Sequence, residues 1–257
     1  MTASPSPRAA RPVVVITGAS SGIGAALAVQ LAPTHSLVLV ARRADVLADV
    51  AASLGTDSSA IIVRADVTVR AQVDDVVETA LSHFGRLDVW VNNVGRGITR
   101  ATSLLTDDDI DEMMRVNVKS ALYGMQAVLP HFKLIGRGHV VNVSSLLGRI
   151  PMAPQRSAYS AAKHFLNSLT ATMRTEVQET HPDIQFSLVS PGVVHTAFGS
   201  NAVHGGPDSR TLPNAQSAHE AAEVIARVIA DRRADVYTRA GTAELVGQHF
   251  AAIGQDP

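Results

Sequence analysis

Short unbroken apolar runs alternate along this chain with longer segments whose apolar residues recur every three or four positions. Val13 to Thr17 is the first run, and it ends in a glycine-rich turn. Leu37 to Ala41, Ala60 to Ala65, Leu87 to Val91, Val140 to Val143 and Ile184 to Val189 follow, with Val236 to Thr238 as a short last one. Runs of this length with no polar alternation read as strands buried on both faces. Between them, Ile23, Leu27 and Leu31 share one face of a helix that Pro33 closes, and Val46, Leu47, Val50, Ala51 and Leu54 mark a second. Val73, Val76, Val77, Ala80, Leu81 and Phe84 mark a third, which Thr68 is placed to cap. Thr106 with the aspartates behind it predicts a helix start, because negative charge is favoured at the positive end of the helix dipole. That helix runs through Met113, Asn117 and Ala121 towards Pro130. A long helix begins near Ser157 and ends before Pro182. Ser217 and Glu220 form a capping box ahead of Ala221, Val224, Ile225, Val228 and Ile229.

Strand and helix alternate throughout, which predicts an α/β fold with a doubly wound parallel sheet of the Rossmann type, flanked by helices. No repeat or interdomain linker interrupts the pattern. Residues 12–257 therefore read as a single domain behind a flexible, polar, proline-rich tail over residues 1–11. The longest irregular stretch, His195 to Gln216, holds Gly199, Gly205, Gly206, Pro207 and Pro213. A loop of that length inside a compact domain is expected to be functional, and a substrate lid at about 195–216 is the expectation here.

Composition narrows the partners. Hydrophobic residues make up 46% of the 257 and aromatics only 4%, so Val, Ala, Leu and Ile must fill the core. The 22 basic and 23 acidic residues nearly cancel and form no basic stripe, which argues against a nucleic-acid partner. With no cysteine, neither a disulfide nor a thiolate zinc site can form; the ten histidines include no His-x-x-x-His pair, so no metal is expected. The N-terminal residues contain no apolar leader, and no run reaches the ~18 apolar residues that cross a bilayer. A cytoplasmic protein without a membrane partner is expected.

The first candidate site is Thr17-Gly18-Ala19-Ser20-Ser21-Gly22-Ile23-Gly24, where the first strand gives way to the first helix. Glycines let the backbone turn sharply and approach a pyrophosphate, and the helix N-terminus offers unpaired N–H groups to hold it. The second strand ends in Arg42 and Arg43. An acidic residue near this position bonds a ribose 2′-hydroxyl, whereas an arginine accommodates a 2′-phosphate through charge-assisted forked hydrogen bonds. NADP(H) is therefore the expected cofactor, with NAD(H) possible.

A second candidate is the pair Tyr159 and Lys163, one helical turn apart. A phenol titrates near pH ~10, and a nearby ammonium favours the phenolate, bringing the group towards a range where it can serve as acid and base. Ser145 ends the fifth strand, where ligands gather in doubly wound folds, and its hydroxyl can stabilise a developing oxyanion. Ser144 is the fallback, pointing the opposite way from an extended strand. Asn117 sits inside a helix, a poor position on propensity alone.

Taken in order, Thr17-Gly18-x-x-x-Gly22-Ile23-Gly24, Asp66-Val67, Asn92-Asn93-Val94-Gly95, Asn117, Asn142-Val143-Ser144-Ser145, Tyr159-Ser160-Ala161-Ala162-Lys163, and Pro191-Gly192 with Thr196 resemble the short-chain dehydrogenase/reductase family. The resemblance covers the chain from about Pro12 to Thr238. It implies a sheet of about seven parallel strands and hydride transfer between nicotinamide and a carbonyl or alcohol. Catalysis would fall to Asn117, Ser145, Tyr159 and Lys163. Cofactor contacts would come from Gly18, Ser20, Ser21, Gly22, Ile23 and Gly24 for the pyrophosphate, and from Asp66 and Val67 for the adenine. Asn93 and Gly95 would line the cofactor, while Pro191, Gly192, Val194 and Thr196 would receive the nicotinamide. Tyr159 and Lys163 would also reach its ribose, and Asn117 would hold a water in a proton relay from the lysine.

Three departures stand out from the family pattern. Val94 replaces an alanine. Ser21 replaces a basic residue, which leaves any NADP preference to Arg42 and Arg43. The last strand lacks an Asp-Gly-Gly ending, which bears on a tetramer edge. The resemblance implies a homodimer or homotetramer through the helices carrying Asn117 and Tyr159. Arg96, Leu146, Met152, Gln155, Val193, His195 and Phe198 are expected to wall the substrate pocket. A dinucleotide sensor without turnover, and an epimerase or dehydratase, are the rival readings.

Overall fold

The structure, a computed structural model, describes residues 11–254. Apart from Arg11, the tail expected over residues 1–11 lies outside the described residues. The apolar runs form strands β1 (Val13–Thr17), β2 (Ser36–Ala41), β3 (Ser59–Arg64), β4 (Val89–Asn92), β5 (Gly138–Val143), β6 (Ile184–Ser190) and β7 (Asp235–Tyr237). They make one seven-stranded sheet in the order β3-β2-β1-β4-β5-β6-β7. Every pairing is parallel. The helices are α1 (Gly22–Leu31), α2 (Ala44–Ser53), α3 (Arg70–Phe84), α4 (Asp107–Met114), α5 (Ser120–Ile135), α6 (Ser157–Gln178), α7 (Ala218–Asp231) and α8 (Thr242–Ile253).

Alternate residues of each strand feed opposite faces of the sheet. Val14, Ile16, Leu39, Val91 and Val189 pack on one side with Leu27 of α1 and Ile225 of α7. Val13, Val15, Val38, Trp90 and Phe186 pack on the other with Val76 of α3, Phe132 of α5 and Val177 of α6. Burying a side chain of this size is worth ~1.5–3 kcal/mol, so both layers are needed to hold the sheet. At the edge, β3 departs from the expected fully buried run: Ile62 is 41% exposed, because no strand or helix covers that margin completely.

Caps divide into those that local sequence decides and those that it does not. Thr106 with Asp109 and Ser217 with Glu220 each close a reciprocal capping box, as expected. Thr68 does not cap α3. Val69 precedes the helix instead, and the Thr68 hydroxyl is drawn to Asp66 at 2.7 Å, accepting in turn from Arg115 at 2.6 Å. Pro130 does not end α5 but lies inside it. One lost backbone hydrogen bond is outweighed there by Val128 and Phe132, which are fully buried on either side of the proline. Between α4 and α5 the chain widens into a π-helical turn over Arg115–Lys119, centred on Asn117. Such bulges interrupt an otherwise continuous helix and re-aim the side chains they carry.

Candidate active site

The strand order reverses direction between β1 and β4, and in open α/β sheets a crevice for ligands forms outside the carboxyl ends of strands at this point. The glycine turn sits there. Gly18 and Gly22 hold φ of 69° and 57°, a left-handed conformation that costs glycine nothing. A Cβ on Gly24 would run into the Gly18 carbonyl and come within 2.6 Å of the Asn93 amide nitrogen. Asn93 itself is fastened to the turn, its backbone N–H donating to Thr17 Oγ1 at 3.0 Å and its amide to the Thr17 carbonyl at 3.0 Å. Ser21 precedes α1 and makes no side-chain capping bond, so the helix's first N–H groups are left for a ligand. The cradle thus fits a pyrophosphate: close backbone, no side chain in the way, and free donors.

The adenosine end is equally legible. Asp66 accepts from the Thr68 N–H at 2.9 Å and the Thr68 hydroxyl at 2.7 Å through one oxygen, Oδ1. Burial works against its charge, but these two bonds, with the fields of Arg42 and Arg115, hold the carboxyl below its ordinary range. Arg42 and Arg43 are exposed, and Arg42 lies near enough to Asp66 to act on it. Val67 is buried beside them.

Deeper in the crevice, α6 and the ends of β4 and β5 converge. Tyr159 and Lys163 are 6% and 3% exposed, and the lysine Nζ stands 5.8 Å from the tyrosine ring centre. The Ser145 hydroxyl lies near enough to the phenol to favour its ionised form. It also accepts from the Leu147 N–H at 3.1 Å, which fixes its rotamer at the end of β5. Ser144 turns away and donates to Asn167 of α6 at 2.5 Å, so the fallback serine faces the interior of the fold. Asn117 brackets the backbone of Arg96, accepting from its N–H at 3.0 Å and donating to its carbonyl at 2.9 Å. A Cβ on Gly95 would stand 3.1 Å from the Asn117 side-chain oxygen and 3.5 Å from Lys163 Nζ, so glycine lets the two come together. Val94, the larger residue in place of alanine, packs against the neighbouring core without disturbing the turn.

The electrostatics run opposite to expectation in the ligand-free chain. Burial pushes the Tyr159 phenol up to about 12; the Ser145 hydroxyl and the charge of Arg156 oppose this without overcoming it. Lys163 does not supply the expected pull, because its ammonium is drawn to the Val143 carbonyl at 3.0 Å and is itself brought down to about 8 by burial.

The loop from 195 to 216 is folded over this region and held at both ends. The His195 N–H donates to Gln216 at 2.8 Å, and the Gln216 N–H donates back to Val193 at 2.9 Å. Val203 pairs with Gly97 and Thr99 across the middle. Thr196 lies against Gly22, with its methyl 3.1 Å from where a glycine Cβ would stand. Pro191 carries the β6 end into this loop, accepting from the Leu146 N–H at 2.7 Å, and Val194 is buried below it. Gly192 lies against Arg239. Among the expected pocket residues, Phe198 meets Tyr159 edge-on at 5.4 Å. Met152, Gln155, Val193 and His195 are exposed, and Arg96 is paired with Glu112 at 3.0 Å. The sequence reading passed over Arg156. Its position three residues before Tyr159, at the start of the helix that carries the tyrosine, is the available signal.

A parallel sheet with a pyrophosphate cradle at its reversal point and a Ser–Tyr–Lys cluster beside it defines a dinucleotide-binding α/β oxidoreductase. The family model of the short chain dehydrogenases matches residues 12–205. An uncharacterized oxidoreductase of Staphylococcus epidermidis is 35% identical over 185 residues, which cover 72% of this chain and 78% of that protein. One from Staphylococcus saprophyticus is 37% identical, with 72% and 74% covered. Among solved structures, a short chain dehydrogenase/reductase from Burkholderia phymatum in complex with NAD superposes with a TM-score of 0.86 at 25% identity, covering 97% of each chain. An alcohol dehydrogenase from Thermococcus sibiricus complexed with 5-hydroxy-NADP gives 0.76 at 28% identity, over 88% of this chain and 95% of that one. The chain belongs to the short-chain dehydrogenase family. It is thus an enzyme acting on CH–OH or C=O groups with a nicotinamide dinucleotide, and not the silent sensor. Among the described residues no helix is long and apolar enough to cross a membrane.

Proposed function

We propose that this chain is an NADP(H)-preferring carbonyl or alcohol oxidoreductase in which Tyr159 is the general acid and base. The observation that carries the reading is the meeting of Tyr159, Ser145 and Lys163 around one mouth beside the glycine turn. Gly18, Ser20, Ser21, Gly22, Ile23 and Gly24 hold the pyrophosphate. Asp66 and Val67 take the adenine, and Asn93 and Gly95 line the middle. Pro191, Gly192, Val194 and Thr196 receive the nicotinamide end. A dinucleotide held there supplies or takes up the hydride.

The protein's own part is proton handling. Ser145 donates to the substrate oxygen and fixes it near the phenol. At neutral pH a phenol pushed up to about 12 is protonated, which suits it to donate as a carbonyl oxygen gains negative charge. Lys163 binds the ribose hydroxyls, and its positive charge lowers the cost of the phenolate left behind. Asn117, set in the π turn beside Lys163, holds the water that returns the proton from solvent. The segment at about 195–216 is a lid that excludes water from the mouth. Residues 12–257 act as one catalytic domain. A cytoplasmic setting is part of this reading. A homodimer or homotetramer is supported by apolar side chains that α5 and α6 leave exposed, among them Leu134 and Phe165.

The test is a panel of ketones, aldehydes and alcohols, followed by nicotinamide absorbance with NADPH and NADH, for the native chain and Tyr159→Phe. Turnover in the native chain, cut by about 10²–10⁴-fold in the variant with NADPH still bound, is expected. A Tyr159→Phe enzyme that keeps its rate ends the assigned role. The cofactor preference rests on Arg42, so Arg42→Asp should reverse the NADPH:NADH ratio of kcat/KM by about tenfold or more. A ratio unmoved by that change would falsify the NADP(H) assignment.

A further inference from the structure

Among the described residues, several arginines about the crevice have an anionic partner. Arg96 and Arg115 pair with Glu112, Arg100 with Asp109, and Arg149 with Asp235. Arg156 differs. Among the described residues its guanidinium makes no ion pair and no hydrogen bond, and only its backbone N–H is engaged, donating to Ala153 at 2.8 Å.

The space around this guanidinium is kept clear by glycines from two different loops. Its Nη1 stands 2.6 Å from where a Cβ on Gly97 would be, and its Nη2 3.0 Å from where one on Gly206 would be. A side chain at either place would crowd the cation and make it shift, so glycine at both lets the guanidinium stand between the two loops. Phe198 borders the same Gly97 position at 3.0 Å and meets Tyr159 edge-on, so the guanidinium and the phenol flank one aromatic wall. Arg156 caps the start of α6 three residues before Tyr159, and its charge reaches the phenol. It is half-buried, and a cation partly withdrawn from water without a counter-ion is costly to the free chain. Burial lowers its own pKa and Tyr159 opposes this; among the described residues no carboxylate does.

We propose that Arg156 is the binding residue for a carboxylate on the substrate, so that this enzyme acts on oxo acids or hydroxy acids in preference to neutral carbonyl compounds. The inference rests on the reaction class proposed above. One guanidinium with no second cation engaged beside it matches a single negative charge, and its planar fork matches the two oxygens of a carboxylate. The ligand supplies what the fold withholds: binding neutralises the orphan charge and sets the carbonyl at Tyr159 and Ser145.

The test compares levulinate and its next-longer homologues with their methyl esters as substrates of the full chain with NADPH. The native enzyme should favour at least one acid over its ester by about 10–100-fold in kcat/KM, carried by KM. Arg156→Gln should bring that ratio to about one, and Arg156→Lys should restore part of it. Using the ratio removes any loss common to both substrates, including the loss of the arginine's field at Tyr159. A native enzyme that reduces acid and ester alike, or an Arg156→Gln enzyme that keeps the preference, overturns the carboxylate assignment and leaves the reaction class standing. A native chain that reduces neither overturns both.

Discussion

The two ends of the sheet each bury a titratable group, and they use it in opposite ways. At the carboxyl end Tyr159 and Lys163 are withdrawn from water, yet the hydrogen-bonding atoms around them are only partly spent inside the protein. At the amino end of β5, His139 is also buried, and burial pushes it down to about 3 with help from the charge of Arg232. Its Nε2 meets the Ser187 hydroxyl at 2.7 Å, and that hydroxyl donates to the Arg233 carbonyl at 2.6 Å; its Nδ1 is buried without a hydrogen-bond partner among the described residues, and the ring is closed off from solvent. Perturbation alone therefore does not mark a site. What separates the two is whether the perturbed group borders a crevice that a ligand can enter, a condition set by where the strand order reverses.

The sharpest way to break this contrast is Lys163→Met. At the open end a buried charge serves ligands at the expense of the free fold. Turnover should fall by at least about a hundredfold. Below about 8 the lysine is charged in its buried position, so its removal should raise the protein's stability without cofactor by about 3 kcal/mol at pH 7. Chemical denaturation beside a rate assay checks both. A variant that is less stable as well as inactive would make Lys163 a plain structural residue.

The sealed end predicts a smaller effect, on stability alone. The folded pKa of His139 lies below the unfolded value, so both states are neutral above pH 6.5 and nothing is lost there. As pH falls from 6.5 towards about 3, the unfolded chain takes up a proton that the folded chain refuses. The stability contribution then drains by about 1.4 kcal/mol per pH unit. His139→Leu should flatten this part of the pH–stability curve, measured by denaturant unfolding. An unchanged slope would mean that the imidazole is not sealed.

The smallest effect belongs to the loop over the crevice. Asp109 binds the Thr106 N–H at 3.1 Å, Arg100 at 3.1 Å and His204 at 2.7 Å, which ties the loop to the start of α4. The Thr106 bond and the pairing with His204 hold its carboxyl down to about 2. Asp109→Asn should loosen that clasp and raise KM by about three- to tenfold with kcat little changed. Steady-state kinetics on any active substrate reads this directly; an unaltered KM would show that the clasp does not govern access.

Local chemistry was enough wherever a residue acts through its own backbone or its near neighbours. The glycine turn, both capping boxes, the strand runs and the Tyr159–Lys163 spacing are of this kind, because propensity, capping and periodicity operate within a few residues. Long-range competition explains the misreadings. Thr68 was drawn from its cap by Asp66 and Arg115, the latter distant in sequence, and Pro130 was carried inside a helix by the burial of its neighbours.

The sequence by itself determined the order of strands and helices, the phosphate-binding turn and the identity of the clustered Ser, Tyr and Lys side chains. Only the tertiary structure decided which serine faces the crevice, that burial outweighs Lys163 in setting the Tyr159 phenol, and that Arg156, between Gly97 and Gly206, has no anionic partner among the described residues. The physical reason is that desolvation and charge pairing depend on every group within a few ångströms, and those groups are brought together by the fold from positions far apart along the chain.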